Sequence, residues 1–201
     1  MRTKLQKHHY ETGSKTNLIA FLIACAVFFL IMFYFVNIRN QPFNLAFANR
    51  AIAIDAVFFI GMSYLLGPLA GLFPKIFVSK LEYRKSFGLS GYAAAISHIL
   101  ISLLIVPGSV FESNGLSLFF AMIAILIFTL VSSTSLVKIE SFGFEKWQKI
   151  QRLGYIAFIL VILHFVLLEN GQFIGRQLGQ ITLAFALLVL LARIVVMIFK
   201  K

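Results

Sequence analysis

Six long apolar runs, joined by short polar connections, leave this sequence little choice of architecture. They lie near 17–37, 51–72, 88–107, 115–133, 150–168 and 178–198. Each approaches the ~20 helical residues needed to cross a hydrocarbon core of ~30 Å. The runs are continuous rather than alternating, which excludes the wall of a β-barrel. The chain has 201 residues, 60% hydrophobic and 12% charged, with a mean hydropathy of +0.94. A water-soluble domain of that size cannot bury so much apolar surface. The expected fold is all-α, a polytopic membrane six-helix bundle, with residues 1–16 as a polar tail and 17–201 as a single six-span domain. The first run is too long for a signal-peptide core and lacks a small-residue cleavage site, so it reads as the first span.

The net charge of +11 has a topological explanation. Lysines and arginines cluster at 2, 4, 7 and 15, at 75, 80, 84 and 85, at 138, 146, 149 and 152, and at 193, 200 and 201. The alternate connections hold Arg39, Arg50 and Arg176. Fifteen cations against three is a strong positive-inside asymmetry and places the N and C termini in the cytoplasm. The basic balance is thus an insertion signal with some attraction to anionic membrane lipid, and nucleic acid is not expected as a partner. The lone cysteine, Cys25, lies in the first run and reads as a small apolar residue; no CxxCH is present for covalent haem attachment.

Two imidazoles interrupt the apolar runs, His98 in SGYAAAISHILISLLIV and His164 in WQKIQRLGYIAFILVILHFVLLE. The third and fifth spans run in the same direction. His98 lies 13 residues beyond Lys85 and His164 lies 12 beyond Arg152, so both sit ~18–20 Å from their basic entry points and share one depth. An imidazole buried in lipid needs partners. Two at one level on parallel helices match what bis-histidine haem ligation in a helical bundle requires. The plainer reading is that each donates to a nearby carbonyl or serine. Zinc is disfavoured, because no third or fourth ligand is in sight. Gly91, Ala94, Ala95 and Ser102 flank His98 at helical spacing, as Gly154, Ala157 and Val161 flank His164. Small residues there either admit a neighbouring helix or leave a slot for a flat macrocycle.

Other residues read more simply. Asp55, placed about one turn into a span that starts after Arg50, is expected to pair with Arg50 or to be hydrated at the outer interface, with a proton or substrate contact as the alternative. Gly67-Pro68 is expected to kink or end the second helix. Ser132, Ser133, Thr134 and Ser135 are expected to cap the fourth helix or bond back to it. Trp147 reads as an interfacial anchor, and His8 and His9 as part of a solvated tail.

Several of these stretches resemble the ferric-reductase-like transmembrane superfamily, most closely its MsrQ/YedZ type, the haem-binding membrane subunits of periplasmic methionine sulfoxide reductase systems. The resemblance spans roughly residues 61–170. It is carried by Gly67-Pro68-Leu69, by Arg84-Lys85 before Gly88-Leu89 (an order reversed from the family's), by His98, by Thr134-Ser135, and by Trp147, Ile150, Gln151, Arg152, Leu153 and Tyr155 ahead of Leu163-His164. It implies a bacterial cytoplasmic (inner) membrane protein that passes electrons toward an acceptor on the outer face. The family has a histidine where Gln151 stands, and a glutamine amide is a poor iron ligand. One haem b held by His98 and His164 is therefore expected, with the inner-haem position at Gln151 degenerate.

No nucleotide-binding loop is present, so a quinol or flavoprotein is the expected donor and a redox partner the expected outer-face acceptor. Flavin or quinone is a possible further cofactor. Lys85, Lys149 and Arg152 form a cationic rim suited to flavin phosphate or haem propionates, although the positive-inside rule already accounts for it. If enzymatic, the chain is the membrane electron-transfer component of an oxidoreductase. The competing expectation is a non-haem transporter, assembly factor or structural protein whose histidines are satisfied by helix contacts.

Overall fold

The computed structural model describes residues 14–105, 115–137, 143–168 and 175–199. Most of the polar tail with His8 and His9, the Pro107-Gly108 end expected for the third span, Lys138, Glu140, residues 169–174, Lys200 and Lys201 lie outside them. Among the described residues the long elements are all helical: α1 (Ser14–Phe33, continued by a π-helical turn at Tyr34–Ile38), α2 (Leu45–Leu72), α3 (Tyr83–Ile105), α4 (Gly115–Leu136), α5 (Phe144–Leu167) and α6 (Gln177–Phe199). Each coincides, to within a residue at its ends or as part of a longer stretch, with a segment long and apolar enough to cross a membrane. Large apolar side chains such as Leu104, Leu126 and Phe199 point outward, as lipid-facing residues do.

The chain divides into two compact units, one of Met1–His98 with Leu187–Lys201 and one of Ile99–Ala186. In the first unit α2 is the inner helix: 67% of its apolar window is buried, against 17% for α1. Its stripe Ala48, Ala51, Phe59 and Leu66 packs on α1, with Met32 against Ala48 and Ala51, and with Ala20 and Ala24 against Phe59, Leu66 and Phe87. Ser86 at the start of α3 donates to Asn17 Oδ1 of α1 at 2.6 Å.

α3 packs on another face of α2, antiparallel to it, and glycines set the spacing. A Cβ on Gly91 would stand 2.7 Å from both the backbone N and Cγ1 of Ile60, and one on Gly88 would stand 3.0 Å from Ser63 Oγ. Between α3 and α2 at Gly91, the small-residue stripe therefore admits a neighbouring helix.

In the second unit α4 and α5 form the most extensive helix pair. Ser117, Ala124, Phe128 and Val131 are buried along α4. Trp147, Gly154, Ala157, Phe158 and partly buried Val161 follow along α5, a near-heptad spacing that keeps one seam facing one partner. Gly143, at φ 78, precedes α5 in a conformation that suits glycine.

Three local expectations change. α2 starts at Leu45, not after Arg50, because Asn44 caps it by accepting from the Phe47 N–H at 2.9 Å. Of the two roles expected for Gly67-Pro68, kinking or ending α2, the second does not hold: Pro68 sits inside α2, and the helix stops where Phe73, ahead of Pro74, leaves helical geometry at φ −126, ψ 66. Trp147 is 8% exposed and thus packed inside protein rather than set as an interfacial anchor. The hydroxyls of Thr134 and Ser135 do bond back, each donating to the Val131 carbonyl at 2.9 Å.

Candidate functional site

The two intramembrane histidines are each held by a polar residue that the sequence reading did not single out. In the first unit, close approach of α3 to α2 brings His98 level with Asn49, seven residues from Ala56 as His98 is seven from Gly91. His98 Nδ1 lies 2.9 Å from Asn49 Oδ1 and 3.2 Å from the Asn49 backbone oxygen. A backbone carbonyl only accepts, so this nitrogen carries the hydrogen and donates. Asn49 is buried and His98 half-buried.

In the second unit His164 Nδ1 lies 3.0 Å from the Ser117 carbonyl oxygen and 2.9 Å from its Oγ. The Ser117 hydroxyl in turn donates to the His164 carbonyl at 3.1 Å. That carbonyl belongs to the last turn of α5. Ser117 therefore bonds to the end of α5 and orients an imidazole at once. By the acceptor argument used for His98, Nδ1 is again the protonated nitrogen, and Nε2 lies on the opposite edge of the ring.

Gln151 occupies the other end of the α4–α5 seam. Its amide donates to the Val131 carbonyl at 3.2 Å and to the hydroxyls of Ser135 at 3.0 Å and Thr134 at 3.4 Å. Gln151 and His164 are 13 residues apart on α5, and their partners Val131 and Ser117 are 14 apart on α4, so two polar clasps ~20 Å apart fix an antiparallel register. That register sets buried Ala124 level with buried Ala157. Ala94, Ala95, Ser102 and Val161 remain half-buried.

The basic rim residues lie within the first three turns of their helices. Lys85 is in the first turn of α3 and half-buried, Lys149 is exposed, and Arg152 is exposed with Nη2 donating to Gln148 Oε1 at 3.2 Å. Among the described residues no group of three or more His, Cys, Asp or Glu is placed to hold a metal ion. Asn49 and Ser117 left one available signal in the sequence, a polar residue inside or at the mouth of an apolar run.

Among the described residues, six helices long and apolar enough to cross a membrane point to the class, a helical integral membrane protein. No protein-family model matches the chain, and no curated protein matches it.

Proposed function

We propose that this chain is a membrane electron-transfer protein that binds one b-type haem through Nε2 of His98 and Nε2 of His164. The observation that supports it is the shared anchoring of the two imidazoles. Each has Nδ1 within hydrogen-bond distance of a backbone carbonyl, Asn49 for one and Ser117 for the other. That arrangement fixes the tautomer with the lone pair on Nε2 and holds the ring, as in metal-ligating histidines generally. Each imidazole, taken by itself, is thus held in the manner of an iron-ligating histidine. At Gly91 the room is taken by α2, so that position is not part of a haem slot.

When bound, the haem supplies a one-electron relay within the membrane. The protein orients the ligands through Asn49 and Ser117 and excludes water with its apolar helices. Gln151, whose amide hydrogens go to α4, leaves no imidazole for a second, inner haem. Electrons arrive from a quinol or a flavoprotein on the side of Lys85, Lys149 and Arg152 and leave to an acceptor on the outer face. Both termini are cytoplasmic by the charge asymmetry.

The same contacts support a second reading. Histidines that bond to Asn49 and Ser117 are satisfied within the protein, as a non-haem transporter or assembly protein requires. The visible spectrum of the purified protein after haem-replete expression separates the two. A Soret band that shifts on reduction, one haem per chain by pyridine haemochrome, and loss of both in His98→Ala and His164→Ala are expected. A colourless wild-type protein sinks the electron-transfer reading.

A further inference from the structure

Asp55 is 5% exposed, and its Oδ1 is the buried side-chain atom left without a hydrogen-bond partner among the described residues. It lies ten residues into α2, ~15 Å along the axis from Leu45, well below the end of the helix. It falls on the α1-facing stripe, one turn after Ala51 and one turn before Phe59. Those neighbours pack against Met32 and against Ala20 and Ala24, so the carboxyl is level with the α1 stretch that lies between them. Between Ala20 and Met32 that stretch offers one titratable side chain, Cys25, and no charge.

Arg50 is five residues away on α2, a spacing that puts it on another face. α3 carries Tyr83, Arg84, Lys85, Tyr92 and His98, the last bonded to Asn49, and the α6 segment of the unit carries Arg193. None of these is hydrogen-bonded to Asp55 Oδ1. At Oδ1 an ionised carboxylate so placed is desolvated with no donor among the described residues to offset the cost.

We infer that Asp55 is a membrane-embedded proton-binding site, whose carboxyl group holds a proton where other buried carboxylates hold a cation or an N–H. The reaction is reversible protonation, carboxylate plus proton giving carboxylic acid, and it is independent of haem. It gives the α1–α2 interface two charge states, and in the ionised one Oδ1 has no donor among the described residues.

Two measurements on the full chain in native-like membranes test this. Dicyclohexylcarbodiimide takes up the proton of a buried carboxylic acid and joins its oxygen, so a mass-spectrometric adduct is expected on Asp55, lost in Asp55→Asn. Water-soluble carbodiimide is expected to leave Asp55 unmodified. Infrared difference spectra, wild type minus Asp55→Asn, are expected to show the C=O stretch of a protonated acid. Absence of the Asp55 adduct, or a carboxylate stretch in place of the acid band, overturns the inference. The wild-type labelling result stands even if the variant fails to accumulate.

Discussion

Ser117 and His164 hold each other in both directions: the imidazole Nδ1–H reaches the Ser117 carbonyl at 3.0 Å, and the Ser117 hydroxyl reaches the His164 carbonyl at 3.1 Å. The serine thereby ties the start of α4 to the end of α5. Its loss costs a hydrogen bond to a terminal carbonyl but leaves its own backbone carbonyl for the imidazole. Ser117→Ala should accordingly destabilise the detergent-solubilised protein by about 1 kcal/mol, read as a lowered thermal midpoint, while Ser117→Thr should retain most of the stability. An unchanged midpoint in Ser117→Ala would show that the hydroxyl contributes nothing to the clasp.

Gly91 makes a sharper case. Its missing Cβ would overlap the backbone nitrogen of Ile60, and a helix backbone has no rotamer with which to move aside. Gly91→Ala should cost about 1–3 kcal/mol. Gly115→Ala is the control, because nothing lies within 4 Å of the position its Cβ would take. Alanine there should be neutral or stabilise by up to about 1 kcal/mol, since it restricts the unfolded chain more than glycine does. Equal effects at the two sites would remove the argument that α3 is seated on α2 through Gly91.

These two positions also mark what was legible in the sequence. The six helices follow from hydropathy and length, because lipid allows apolar runs few other conformations. The small residues around His98 were visible as a stripe, but whether they faced a helix or a ring depended on Ile60, 31 positions earlier. Asn49 and Ser117 were hidden for the same reason: each meets its histidine across 49 or 47 residues, and such pairings have no local periodicity. The start of α2 was misread because Asn49 and Arg50 look like a polar boundary. They are tolerated within the helix, where Asn49 is already bonded to His98.

The cap that moves this boundary is testable. Asn44 has extended backbone, φ −147 and ψ 162, and accepts from the Phe47 N–H, one of the donors a helix start leaves unmatched. Asn44→Ala should lower stability by about 1 kcal/mol, and Asn44→Asp or Asn44→Ser should restore most of it. Thermal melts of the three variants in one detergent check the order. If alanine matches serine, the helix does not begin where the cap places it.

Gln151 is the residue on which the count of expected haems turns, and its contacts give a prediction that separates structure from cofactor. The amide bridges α5 to the Val131 carbonyl and to the hydroxyls of Ser135 and Thr134. Truncation to alanine removes these bonds, yet it strands few partners, because Ser135 and Thr134 still donate to the Val131 carbonyl. The loss should therefore stay near about 1 kcal/mol rather than reach the larger cost of an orphaned buried group. In the proposed haem protein, Gln151→Ala should lower the thermal midpoint while leaving the haem-to-chain ratio and the reduced spectrum unchanged, since His98 and His164 are untouched. Loss of haem from Gln151→Ala at retained fold would instead place the cofactor at the other end of the α4–α5 seam and remove His164 from the ligand set.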